Sequence, residues 1–117
     1  VGAGNTFSLL KVMADAYKVQ QLNQNLFSSF KALYLATLGG ASCLNLDNSI
    51  GNFLPGKEAD FIVIDKKPDD FLAFRMERCG SLLEEIFTLI MLGDDRCIRA
   101  TYICGEVAHI RNEHQRA

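Results

Sequence analysis

Histidine is scarce in this chain: His109 and His114 are the only two in 117 residues. They stand too far apart to share one helical turn. With 107–110 read as a strand, His109 lies on one face and His114 lies beyond it in the tail. That placement argues against a metal-binding pair, and both read as surface or rim histidines. Cysteine is present but unpatterned. No Cys-x-x-Cys joins Cys43, Cys79, Cys97 and Cys104, so neither a zinc knuckle nor a redox pair is signalled. Four buried free thiols in a reducing cytosol are the expectation.

Excess charge is missing as well. Twelve Lys and Arg against 14 Asp and Glu leave a net charge of −2, with a pI near 5.6, and provide no electrostatic footprint for nucleic acid. No stretch approaches the roughly 20 apolar residues of a membrane span. The first residues carry neither the basic region nor the apolar run of a signal peptide. The expectation is a cytoplasmic chain with no membrane and no nucleic-acid partner. There is no repeat and no low-complexity tract. What the chain does have is apolar content: 49% of residues are hydrophobic, enough for one small domain's core.

The opening Gly2-Ala3-Gly4 makes a flexible loop, with Asn5 or Thr6 as a candidate helix cap. It lacks the Gly-x-Gly-x-x-Gly or Lys-Ser/Thr of a phosphate cradle. Phe7, Leu10, Ala14 and Tyr17 then recur at helical spacing, widened by Leu9, Met13 and Val19, while Lys11, Asp15, Lys18 and Gln21 mark the solvated side. This predicts an amphipathic helix of about four turns. Ser28 or Ser29 caps a second helix bearing Phe30, Leu33, Tyr34 and Leu38, interrupted at Gly39-Gly40 and resuming through Cys43-Leu44.

Pro55 and Gly56 fit the two central positions of a type II turn. Phe61-Ile-Val-Ile64 follows as a short strand apolar on both faces, with Asp60 and Asp65 satisfying turn amides at its ends. Residues 66–78 contain Pro68 and several charges and read as loop. Ser81-Leu-Leu-Glu84 fits a capping box for a helix from Leu82 to Leu92, ended by Gly93. That helix is apolar almost all round and needs enclosure by other elements or another subunit. Asp94-Asp95-Arg96 reads as a helix-end network rather than an acid/base pair. Ile98 to Ile103 and Val107 to Ile110 form a hairpin around Gly105.

Four blocks in order carry a family resemblance: Val1-Gly-Ala-Gly-Asn-Thr-Phe-Ser-Leu-Leu10, Tyr34-Leu-Ala-Thr-Leu-Gly-Gly-Ala41, Pro55-Gly-Lys-Glu-Ala-Asp-Phe-Ile-Val-Ile-Asp65, and Met91-Leu-Gly-Asp-Asp-Arg96 with Thr101-Tyr-Ile-Cys-Gly-Glu106. Together they resemble metal-dependent amidohydrolases over nearly the whole chain, to about Arg111. Tyr17-Lys-Val-Gln-Gln21, Ala36-Thr-Leu-Gly-Gly40 and Gly93-Asp-Asp-Arg96 are similar to the guanine deaminase branch.

The resemblance implies an α/β fold: the last helices of a (β/α)8 barrel plus part of a small β-sandwich. Residues 1–47 would follow the eighth barrel strand, 48–66 and 97–111 would supply sandwich strands, 67–96 a loop and buried helix, and 112–117 a tail. It implies a zinc enzyme converting guanine to xanthine and ammonia, associated as a homodimer. Such an enzyme needs a His-x-His pair, further histidines, a Glu proton shuttle and an Asp at the end of the eighth strand. None matches a position here, and that Asp would fall just before Val1. The chain is therefore expected to hold no catalytic residue and no metal ligand, and to be inactive alone. Gly2, Ala3 and Gly4 would line the purine site with backbone only. Two alternatives stay open: a stand-alone oligomerisation module using the Leu82–Leu92 helix and the Phe7–Tyr17 stripe, or part of a related amidohydrolase with another substrate. Either way, large uncovered apolar faces should make the isolated chain self-associate.

Overall fold

The computed structural model describes residues 4–112; Gly2, Ala3 and His114 lie outside them. The described elements are α1 (Leu9–Leu22), α2 (Ser29–Ala36), α3 (Leu38–Cys43), β1 (Phe61–Ile64), α4 (Asp70–Met76), α5 (Leu82–Leu92), β2 (Ile98–Ile103) and β3 (Glu106–Ile110). A short 3-10 turn, Asp95–Cys97, leads into β2. The strands form one antiparallel sheet in the order β1-β2-β3.

The core lies within the helical layer. Leu10, Met13 and Ala14 of α1 meet Ala32 of α2, Leu72 and Met76 of α4, and Leu89 and Ile90 of α5. Cys97 joins this cluster and Ile64 packs against it, so the end of β1 and the start of β2 tie the sheet to the helices. The backbone repeats that tie: the Asp65 amide donates to the Cys97 carbonyl at 2.8 Å. A half-buried ion pair, Arg111 to Asp65 at 2.7 Å, closes the same end of the sheet.

Helix starts follow side-chain chemistry closely. Ser28 accepts from the Lys31 amide and Ser81 from the Glu84 amide. The Glu84 carboxylate reaches back to the Gly80 amide at 2.7 Å, one residue before the donor of a standard capping box. For α1 the cap is Ser8, not Asn5 or Thr6; the Thr6 hydroxyl instead accepts from the Ser8 amide at 3.0 Å, turning the chain just before the helix. Phe7 is consequently outside the helix and 92% exposed, so it leaves the apolar stripe assigned to it.

Two further readings are corrected. Residues 66–78 are not all loop, because Asp69 caps α4 by accepting from the Leu72 amide at 2.8 Å. Pro68 precedes that cap, where it cannot break the helix, and Leu72 and Met76 bury at i, i+4 spacing. The break between α2 and α3 falls at Thr37, whose φ of −124° and ψ of −103° leave the helical region, and both glycines lie inside α3. Gly39 is needed for closeness: a Cβ there would meet the Tyr34 ring and the Tyr34 carbonyl, each at 3.1 Å.

Helix ends show the same logic. After α1, Gln24 adopts φ 58° while the Gln24 and Asn25 amides return to the Gln21 and Gln20 carbonyls, a Schellman closure. Asn45 closes α3 in the same way. Gly93 ends α5 in extended backbone, so left-handed freedom is not its purpose. A Cβ there would stand 2.4 Å from the Leu89 carbonyl oxygen and 3.2 Å from Cys97 Sγ.

Two substitutions test these endings. Gly93→Ala should destabilise by roughly 1–3 kcal/mol through forced displacement of packed groups. Gln24→Gly should stabilise by up to about 1 kcal/mol by removing a left-handed non-glycine residue. Urea denaturation followed by circular dichroism reads both, with opposite signs expected.

Candidate functional site

The first candidate is the N-terminal loop. Gly4 is exposed and leads into Asn5 and Thr6, which form one wall of a groove of about 430 Å3. The opposite walls are α1, through Lys11, Ala14, Asp15 and Lys18, and the end of α5 with Gly93 and Asp94. Both carboxylates in this groove are already engaged. Asp15 accepts from Lys18 Nζ at 3.1 Å and from Asn5 Nδ2 at 3.2 Å, and these contacts, Lys18 first, hold its pKa below the usual carboxylate range. Asp94 accepts from Arg96 through Nε at 3.1 Å and Nη2 at 3.0 Å, and that guanidinium likewise depresses its pKa. A general base or acid at neutral pH needs a pKa pushed toward 7, and these are pushed away from it. The groove offers shape, not proton transfer.

The Asp94-Asp95-Arg96 segment behaves as the helix-end network expected of it. Asp94 accepts from the Arg96 amide at 2.9 Å and starts the 3-10 turn, and Arg96 extends to Asp69 at 3.5 Å, linking that turn to the cap of α4.

The second candidate is the connector before β1. Leu54 to Lys57 is the expected type II turn: Gly56 has φ 93° and the Lys57 amide donates to the Leu54 carbonyl at 3.2 Å. The turn aims Lys57 Nζ back at the carbonyls of Asp47 and Ile50, just after α3. Next, the Glu58 amide donates to the Ser49 carbonyl at 2.8 Å. Then contacts switch to the far side. The Ala59 carbonyl accepts from the Gly105 amide at 3.0 Å, and the Asp60 carboxylate accepts from the Cys104 amide at 2.8 Å. Cys104 and Gly105 both have positive φ, a two-residue hairpin turn of the type I′ kind. Asp65 likewise accepts from the Lys67 amide at 2.9 Å, so both aspartates flanking β1 serve turn amides as anticipated.

Glu58, Asp60 and Cys104 bring three ligand-type atoms within 4.8 Å of one another, the grouping of that kind found among the described residues. All three side chains are exposed. Asp60 is committed to the turn amide, and the Glu58 carboxylate receives the Cys104 thiol at 3.6 Å, which raises the thiol pKa. A hydrolytic metal centre needs about three ligands around an open position, in an enclosed cavity. This open turn does not fit that requirement. His109 of β3 pairs with Thr101 of β2, is exposed, and is not among these grouped atoms. Cysteine burial also departs from expectation: Cys97 is buried and Cys79 partly so, but Cys43 and Cys104 are exposed. Cys43 ends a helix and Cys104 sits in a two-residue turn, and neither position can be enclosed by so thin a layer.

The described residues thus form an α/β segment: a helical layer joined through Ile64, Asp65 and Cys97 to a small antiparallel sheet, with no reactive constellation among them. The chain belongs to the amidohydrolase family, whose model matches residues 1–108. Guanine deaminase of Escherichia coli (strain K12) is 47% identical over 112 residues, covering 96% of this chain and 26% of that protein. Guanine deaminase of Homo sapiens is 34% identical, covering 91% of this chain and 25% of that protein. Among solved structures, E. coli guanine deaminase superposes with a TM-score of 0.92 over 96% of this chain and 26% of that one. The guanine deaminase of Bradyrhizobium japonicum does so at 0.85 with 31% identity, over 96% of this chain and 30% of that one. The chain spans about a quarter of the length of the curated relatives it matches. No helix of the described residues is long and apolar enough to cross a membrane.

Lys57 and the Glu58–Cys104 pair were not legible as partners. The sequence signal for Lys57 was its place directly after the Pro-Gly turn.

Two measurements follow from this geometry. Asp60→Ala should cost about 1 kcal/mol in urea denaturation, and Asp60→Asn, which keeps an acceptor, clearly less. The depressed pKa values of Asp15 and Asp94 make their contribution fully present above the unfolded carboxylate pKa, near 4, and lost as pH falls through the lower folded values. Stability should therefore drop on acidification below about pH 4, and Asp94→Asn should flatten that drop.

Proposed function

We propose that this chain is the bracing part of a guanine deaminase, the enzyme that hydrolyses guanine to xanthine and ammonia. The observation that carries the reading is the agreement with E. coli guanine deaminase over 96% of the chain in both sequence, at 47% identity, and backbone, at a TM-score of 0.92. In that reaction water replaces the exocyclic amino group on a ring carbon, and ammonia departs with the transferred protons. None of the described residues is arranged to move those protons.

In this reading the helices close the end of a (β/α)8 barrel, and β1-β2-β3 belong to the adjoining β-sandwich. In the same reading Gly2, Ala3 and Gly4 line the purine site without supplying reactive side chains, and Asn5 and Thr6, which border the groove, follow them in sequence. Zinc and the proton-shuttling carboxylate belong to the remainder of the enzyme, in keeping with the poor fit of the Glu58, Asp60 and Cys104 group. The whole enzyme is a cytoplasmic homodimer, and the isolated 117-residue chain is inactive.

The test is direct. The purified chain is dialysed against zinc, its metal content is measured by mass spectrometry, and guanine loss is followed by ultraviolet absorbance. No stoichiometric zinc and no turnover are expected from the chain, and xanthine formation is expected from the whole enzyme carrying it. Turnover by the chain alone, or a whole enzyme that spares guanine, contradicts the proposal.

A further inference from the structure

Residues 4–7 enter α1 with few polar anchors. Thr6 Oγ1 accepts from the Ser8 amide, which shapes the turn locally but fixes nothing beyond it. Asn5 reaches further: its Nδ2 donates to Asp15 Oδ2 at 3.2 Å, ten residues along and in the second turn of the helix. Among the described residues, no other hydrogen bond or ion pair joins 4–7 to anything beyond Ser8. Asp15 is itself held. Its other oxygen, Oδ1, accepts from Lys18 Nζ at 3.1 Å, one helical turn on, which leaves Oδ2 turned to Asn5. The neighbouring Met13 and Ala14 are buried, so this stretch of α1 is anchored in the core. The Asn5–Asp15 contact thus connects an exposed loop to a rigid element.

We infer that Asp15 is a positioning residue for guanine binding, acting through Asn5 on the Gly2-Ala3-Gly4 loop. The inference rests on the functional reading above, in which that loop lines the purine site, and adds the side chains that hold it there. Asp15 touches neither substrate nor metal in this account. Its pKa, lowered first by the Lys18 hydrogen bond and then by Asn5, keeps it ionised at neutral pH, and a carboxylate is the stronger acceptor for an amide N–H. An exposed hydrogen bond of this kind adds little to the stability of the whole fold. Its effect is local: it selects one place for a short segment that has no other side-chain partner in the helix. Losing it should loosen the fit to guanine equally in the bound and reacting states, so the cost falls on KM rather than on kcat.

The test uses the whole enzyme carrying this chain, with KM and kcat for guanine measured for Asn5→Ala, Asp15→Ala, the double variant and Asp15→Asn. Each alanine variant should raise KM about threefold to tenfold, the worth of one hydrogen bond, and leave kcat within about twofold. The double variant should be no worse than either single one, because both remove the same contact. Asp15→Asn, which keeps an acceptor, should recover most of the lost affinity. A purely structural Asp15 would instead lower the melting temperature with KM unchanged. Three results overturn the inference and leave the function standing: unchanged KM in Asp15→Ala, KM increases that multiply in the double variant, or an Asp15→Asn no better than Asp15→Ala. An unsubstituted enzyme that spares guanine contradicts the functional reading itself, and the inference with it.

Discussion

The connector from Leu54 to Asp60 is the constraint on which the arrangement of helices and strands depends. Within seven residues it grips both sides of the molecule. Lys57 and the Glu58 amide hold carbonyls in the turn after α3, and the Ala59 carbonyl and Asp60 carboxylate hold the amides of the β2-β3 hairpin turn. The turn formed by Pro55 and Gly56 sets the direction of the lysine, because it reverses the chain before the ammonium leaves it. An ammonium can satisfy two carbonyls at once, and a carboxylate is the stronger acceptor for an exposed amide, so two charged side chains suffice. The apolar strand β1 enters only after both grips are made.

The same economy explains why the core is small. Nine buried residues make the main cluster, and Leu72, Ile90 and Cys97 are the least exposed of them. Around that cluster stand many exposed apolar residues, among them Phe30, Leu33, Phe71, Phe74 and Leu82. An autonomous domain of this size would bury such groups to offset the entropy of ordering its chain. A segment of a larger protein need not, since the covering surface comes from elsewhere. The polar cross-ties described above then hold shape where burial does not.

Much of this was legible in the sequence, for identifiable reasons. The type II turn, strand β1, the caps at Ser28 and Ser81, and the role of Asp65 were readable because each depends on residues within four positions of one another; Asp60 does serve a turn amide, but that amide belongs to Cys104, 44 residues away. α4 was missed because Pro68 and its charged neighbours masked an Asp cap and a two-residue buried face. The end of α2 was misplaced because glycines usually mark breaks, whereas Gly39 is small so that α3 can fold back on Tyr34. Phe7 was assigned to the core because periodicity does not reveal where a helix begins. The Lys57 and Cys104 contacts were invisible for another reason: they join positions about 10 and 46 residues distant, which no local pattern records.

Hydrogen exchange at individual amides tests the connector's role most directly. If the Leu54–Asp60 segment unites the two layers, the amides of Glu58, Cys104 and Gly105 exchange only in the opening that also frees the Asp65 amide on its Cys97 carbonyl. Fast, loop-like exchange at Glu58, Cys104 and Gly105 alongside a protected Asp65 would contradict the account.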